Sequence, residues 1–298
     1  MPHSAHNRPV HAPAVSSAID FDALRRRHPQ HFGGPDRLRR LAILLTGGGV
    51  ALLLFGMVRL GLLDARTFAG IGRLGEIVAL MMPPSPGDWT HVRLYLSALV
   101  ETIAIALLGT LVAAVLAIPL GLLAAKNVTT AKLLHFLTRR SLDTIRSIDI
   151  LVWALIWVNV VGLGPFAGVL AIMTADIGSF GKLFSEAIEA ADRKPVEGIV
   201  SSGGGRILSV RFGILPEVFP VLASQVLYYI ESNTRSATII GIVGAGGIGL
   251  QLSEAIRTLE LQQVSFIILL ILIAVAAIDY VSGQLRFGLI GRKASAPR

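Results

Sequence analysis

The chain is 298 residues long, 53% hydrophobic and only 15% charged, whereas charged residues make up about 25% of an ordinary soluble domain. Its net charge of +8 is dispersed around apolar runs and does not gather on one face between aromatics, which argues against a nucleic-acid partner and for a membrane-orientation signal. The absence of cysteine excludes disulfides, thiolate catalysis and Cys-ligated metal. Several nearly uncharged runs approach the ~20 residues that a helix needs to cross hydrocarbon. They lack the dyad alternation of barrel strands, so the chain reads as an all-α polytopic membrane protein with about six transmembrane helices.

Residues 1–40 form a polar, basic arm. Five of the seven histidines (His3, His6, His11, His28 and His31) lie in it, but no acid or cysteine recurs at ligand spacing, so it reads as a solvated tail with no metal site. The arm lacks the apolar segment of a cleavable signal peptide, which makes the first span, 41–63, the insertion signal. Arg25, Arg26, Arg27, Arg37, Arg39 and Arg40 precede that span and set its start in the cytoplasm. An outer loop, 64–95, carries Arg66, Arg73 and Arg93 against this rule, so the orientation rests on the other loops.

The second span, 96–123, returns inward to Lys126, Lys132, Arg139 and Arg140. Spans 142–161 and 166–183 are separated by "GLGP", a tight outer turn. A polar stretch, 185–216, with Arg193, Lys194, Arg206 and Arg211, then lies inside. Spans 218–242 and 266–287 follow, and a basic tail, 291–298, carries Arg292 and Lys293. Both termini are therefore expected in the cytoplasm.

The stretch "GAGGIG", Gly244 to Gly249, matches the glycine pattern of dinucleotide-binding folds. That reading needs a preceding strand and an acid about 20 residues on. A membrane span precedes the glycines instead, Glu254 and Glu260 fall too early, and Asp279 falls too late. The glycines are expected to form a close turn at the end of the fifth span, where missing side chains let backbones approach. No cofactor is expected.

Within the inner polar stretch stands "VEGIVSSGGGRILSVRFGILPEVFP", Val196 to Pro220. Pro195 suits the opening of a short helix, Gly203 its end, and Arg206 to Phe212 a second short helix before Leu215-Pro216 enters the membrane. The pattern resembles the EAA loop of binding-protein-dependent ABC importer permeases. Glu197 takes the Glu position, Gly203 the Gly, and Leu215-Pro216 the terminal pair, while Gly198 and Ile199 replace the usual alanines. The literal Glu189-Ala190-Ala191 upstream is rejected because its glycine position is Pro195. "ETIAIALLGTLVAAVLAIPLGLLAAKN", "DTIRSIDILVWALIWVNVVGLGPFAGVLAI", "FGKLFSEAIEA" and "NTRSATIIGIVGAGGIG" resemble the phosphonate permease branch of that family.

The resemblance implies a type I ABC importer permease domain over 96–290, in the bacterial inner membrane. It further implies a second copy of the chain, two cytoplasmic ATPase subunits and a periplasmic or lipid-anchored binding protein. The implied cargo is phosphonate or a related phosphorus oxyanion such as phosphite or phosphate, with methionine or another small solute as the alternative. No Walker A motif is present, since Gly203 to Gly205 is followed by Arg206. The chain is thus expected to be no enzyme but to couple to an ATPase through Glu197, Gly198, Ser202, Gly203, Arg206, Leu215 and Pro216.

Ionisable groups inside spans are costly and call for a reason. Glu231 and Arg235 stand four apart on one helical face, with Asn233, Thr234, Ser236 and Thr238 around them. The third span carries Arg146, Asp149 and Asn159 and the fourth carries Asp176, all suited to gating or interhelix hydrogen bonds. This belt is the candidate translocation path, with Arg235 offered to an anion. A neutralising pair that locks two spans is the equal alternative.

Overall fold

A computed structural model describes residue 26, residues 36–62 and residues 65–294. The five histidines of the arm and residues 295–298 lie outside the described residues. Among those described, every regular element is helical: α1 (Asp36–Arg59), α2 (Ala65–Leu80), α3 (Trp89–Ala124), α4 (Lys132–Arg146), α5 (Ile150–Val161), α6 (Pro165–Glu189), α7 (Lys194–Ser201), α8 (Arg206–Ile242), α9 (Ile248–Arg257) and α10 (Leu261–Ala294). Helix α8 opens with Arg206–Leu208 and a π-helical turn, Ser209–Ile214, before its regular part, Leu215–Ile242.

The chain divides into two compact units, residues 1–74 and 75–298. The first holds α1, whose apolar window has 0% of its residues buried. Helix α2 runs across the division, so the expected outer loop 64–95 contains a helix. All later helices belong to the second unit.

Among the described residues, five helices are long and apolar enough to cross a bilayer: Arg39–Arg59, Trp89–Ala124, Pro165–Glu189, Arg206–Ile242 and Leu261–Gly288. The expected third span, 142–161, is not one straight helix. It straddles α4 and α5, which meet at 88° and give a sixth span only if counted together. The cause is local: Ser147 caps the end of α4, and Asp149 adopts an extended backbone with its carboxylate accepting Leu151 N–H at 2.8 Å. An Asp N-cap starts a new helix better than it continues an old one.

The core forms where α3 lies along α6. Helix α3 presents small residues at helical spacing, among them Ala106, Gly109, Ala113, Ala117 and Gly121, all buried. A Cβ on Gly109 would stand 2.8 Å from Ile172, and one on Gly121 2.9 Å from Phe184. Without a hydrophobic force between helices in lipid, such close van der Waals approach is what holds them. Phe180 and Phe184 stack at 5.2 Å and fill the space beside Ile188, Val218 and Leu222. Ion pairs at one end, Arg139–Glu189 at 3.0 Å and Lys182–Asp143 at 2.9 Å, fasten amphipathic α4 to α6.

The glycine stretch links α8 to α9 by a turn, as expected. Gly246 and Gly247 have φ of +84° and +74°, a region that side chains disfavour. The turn is wedged between helices: Gly247 N–H donates to Glu101 Oε1 at 2.8 Å and Ile248 N–H to Thr102 Oγ1 at 2.7 Å. Gly247 has no side chain to cap α9, so α3 supplies both acceptors. Across the turn, Gly164 N–H donates to Gly244 O at 2.9 Å, bringing the "GLGP" turn into the same junction.

Candidate functional site

Two regions gather the residues singled out by sequence. The first is the loop between α6 and α8. Its helix α7 is anchored at the start by Asp192, whose N–H donates to Glu217 Oε1 at 2.9 Å and whose Oδ1 accepts Lys194 N–H at 3.1 Å. At its end Gly203, with φ of +81°, donates to Val200 O, and Gly204 N–H donates to Ile199 O at 2.8 Å. These bonds satisfy the last carbonyls of the helix in the manner of a glycine C-cap. Val196 and Ile199 rest on Gly213 of the π-helical turn, where a Cβ would meet them at 3.1 and 3.3 Å.

Glu197, Gly198 and Ser202 all face outward on this knob. Val200, Phe212 and Ile207 of the same loop region are also exposed, the last at 83%. Exposed apolar side chains together with a carboxylate suit a protein partner. Arg206 bonds Thr130 Oγ1 at 3.2 Å and the carbonyl oxygen of Val128, tying the knob to the loop after α3. Leu215 and Pro216 open the regular part of α8, directly after the π-helical turn. The second short helix expected over Arg206 to Phe212 is continuous with α8, so the knob is built directly on a spanning helix.

The second region is the polar belt of α8, which the structure divides between faces. Asn233, 5% exposed, points between α3 and α6, and its Nδ2 donates to Thr110 Oγ1 at 2.7 Å and to Asp176 Oδ2 at 2.5 Å. Thr234 and Thr238 are buried and bond back to carbonyls of their own helix, as does Ser236. Glu231 and Arg235 occupy another face, 3.6 Å apart, and turn to α10: Arg286 Nη2 reaches Glu231 Oε2 at 2.6 Å and Arg235 Nη1 reaches Asp279 Oδ1 at 3.5 Å. Glu231 has 13% of its side chain exposed and Arg235 46%.

Asn159 and Asp149 do not join either cluster. Asn159 is exposed and donates to Leu155 O on its own helix, and Asp149 is the N-cap of α5. The candidate path residues therefore do not converge on one cavity within a single chain. The structure adds Thr110, Asp279 and Arg286 to the belt, and Glu101 and Thr102 to the glycine junction. Asp279 stands alone in a long apolar run, a signal legible in the sequence; Thr110 gives none, because a threonine in a span satisfies itself within its own helix.

The model of one family, the binding-protein-dependent transport system inner membrane component, matches residues 117–287. The chain belongs to that family. This permease is 36% identical over 276 residues to the phosphite transport system permease protein PtxC of Stutzerimonas stutzeri, covering 91% of this chain and 98% of that one. It is 39% identical over 225 residues to the putative phosphite transport system permease protein HtxC of the same organism, covering 76% and 79%. With the phosphate-import permease protein PhnE of Mycolicibacterium smegmatis it shares 35% identity over 86% of this chain and 47% of that one. Among solved structures, a chain of the MetNI methionine ABC transporter in inward facing conformations superposes with a TM-score of 0.59, 18% identity and coverage of 68% and 99%. That likeness establishes the permease fold.

Proposed function

We propose that the chain is the membrane-spanning subunit of an ABC importer for a phosphorus oxyanion: phosphite, a phosphonate or phosphate. The observation that carries this reading is the 36% identity to a phosphite permease sustained over 91% of the chain. HtxC and PtxC are phosphite permeases by name and PhnE a phosphate-import permease, and both cargoes are phosphorus oxyanions. The working complex is a homodimer of this chain with two cytoplasmic ATPase subunits and an external binding protein. ATP hydrolysis resides in the partner subunits, and this chain carries the motion. Both termini and α7 face the cytoplasm, in keeping with Arg193, Lys194, Arg206 and Arg211 around the loop.

In this mechanism α7 seats in a groove of the ATPase through Glu197, Gly198 and Ser202 and the exposed apolar side chains of the same loop region. Gly203 keeps the knob compact. Arg206, Leu215 and Pro216 join it to α8, so that closure of the ATPase dimer rotates the spans as rigid bodies between inward-open and outward-open states. Charge half-exposed within a span is costly, about 2.5–3.5 kcal/mol at midspan on insertion scales. The face carrying Arg235 therefore lies against water or protein, and we assign it to the translocation path between the two copies. Arg235 meets the anion there without gripping it, because Glu231 and Asp279 already share its charge.

Methionine is the second reading, favoured by the fold shared with a methionine transporter at 18% identity. ATP hydrolysis by the reconstituted complex with its binding protein separates the two. Stimulation by phosphite, methylphosphonate or phosphate is expected, and stimulation by methionine alone would remove the oxyanion reading.

A further inference from the structure

A groove of about 720 Å³ opens between the end of α3, the loop 125–131, α4 and the start of α8. Its volume is that of a typical small-ligand site. The walls are apolar, with Leu123, Leu134, Val210 and Leu215 among them, while Arg206, Arg211, Thr129 and Thr130 supply the polar groups. No carboxylate among the described residues lines it. Arg211 enters no ion pair among the described residues; its guanidinium lies 5.3 Å from the Phe212 ring centroid. Arg206 spends its bonds on the neutral oxygens of Val128 and Thr130. Two guanidinium charges are thus left uncompensated at the mouth of an apolar cleft.

The position of the groove identifies what suits it. It sits where α3 leaves and α8 enters the apolar zone, at the end that bears the α7 knob. A ligand there must offer an anionic oxygen cluster to two arginines and hydrocarbon to the leucines. Basic pockets between spans on one side of a membrane have this character when they hold phospholipid headgroups, and guanidinium groups match phosphate oxygens in bidentate fashion.

We propose that this groove binds one anionic glycerophospholipid of the adjacent leaflet, its phosphate on Arg211 and Arg206 and an acyl chain along Leu123 and Leu134. The bound lipid braces the loop 125–131 against the base of the knob. This inference rests on α3 and α8 spanning the membrane and not on the identity of the transported solute.

The test uses the full-length chain in nanodiscs of phosphatidylcholine with roughly one phosphatidylglycerol in five, an anionic surface of the kind cytoplasmic leaflets present. Lipid retained after extraction is counted by native mass spectrometry. One phosphatidylglycerol per chain is expected to be retained in preference to phosphatidylcholine. Arg211→Gln should weaken retention about fivefold, the effect of one basic residue at a membrane surface, and Arg211→Lys should preserve most of it. Leu134→Trp should displace the lipid by filling the cleft, whereas Arg140→Gln, an exposed change on α4 outside the groove, should leave it in place. Equal retention of both lipids, or unchanged retention in both Arg211→Gln and Leu134→Trp, overturns the proposal. So does a photoreactive residue at position 134 that captures a second copy of the chain in place of lipid.

Discussion

Glu101 of α3 accepts the backbone N–H of Gly247 at 2.8 Å, so the N-terminus of α9 is capped by a carboxylate more than a hundred residues upstream. Thr102, the next residue, accepts the following N–H from Ile248 and donates its own hydroxyl to Ala98 O at 2.9 Å. Thr102→Val keeps the shape and removes the acceptor, leaving a buried amide unpaired. It should lower stability in detergent by about 1–3 kcal/mol, while Thr102→Ser should be nearly silent. A thermal unfolding series over these variants checks this, and equal loss in Val and Ser would show that the methyl group matters more than the hydroxyl.

Asn233 joins three helices by donating to Thr110 and Asp176 at the same time. Asp176 is 3% exposed, so each partner needs the other. Asn233→Leu and Asp176→Leu should each destabilise by about 0.5–2 kcal/mol, the range for interhelical hydrogen bonds in membranes. The double variant should cost less than the sum, because each single variant strands a polar group that the double removes. A double-mutant cycle on the unfolding midpoint decides it; strict additivity would mean that the two side chains act independently.

The ion cluster on α8 and α10 makes a prediction about rank. Arg286 lies 2.6 Å from the mostly covered Glu231, whereas Arg235 lies 3.6 Å away and is itself 46% exposed. Arg286→Met should therefore loosen the α8–α10 contact more than Arg235→Met, by about 1–2 kcal/mol given its partial exposure. Uptake by reconstituted vesicles should show the opposite order, with Arg235→Met the greater loss, if Arg235 faces the path. Uptake unaffected by Arg235→Met would leave it a lock between spans.

The long spans were legible because unbroken apolar runs leave few alternatives in lipid. The ends of α3 and α8 fall within one residue of the expected 123 and at the expected 242, where Ala124 gives way to a turn and glycines begin after Ile242. The break between α4 and α5 was not legible, because Asp149 within an apolar stretch reads as a polar group seeking a partner in another helix, yet it caps its own. Nor could hydrophobic spacing fix where α9 begins, since its start depends on acceptors from α3. The end of the short helix α7 was readable from Gly203, whose φ of +81° closes it. The division of the α8 belt was not, since Asn233 and Glu231 find their partners 57 and 55 residues away.

In the proposed mechanism α7 transmits the work of a partner ATPase, and Glu197 is its exposed carboxylate. The decisive measurement is ligand-stimulated ATP hydrolysis by the assembled complex, compared between the native chain and Glu197→Lys after both are shown to retain the ATPase subunits. The account predicts stimulation in the first and its loss in the second. Full stimulation with lysine at position 197 would contradict it.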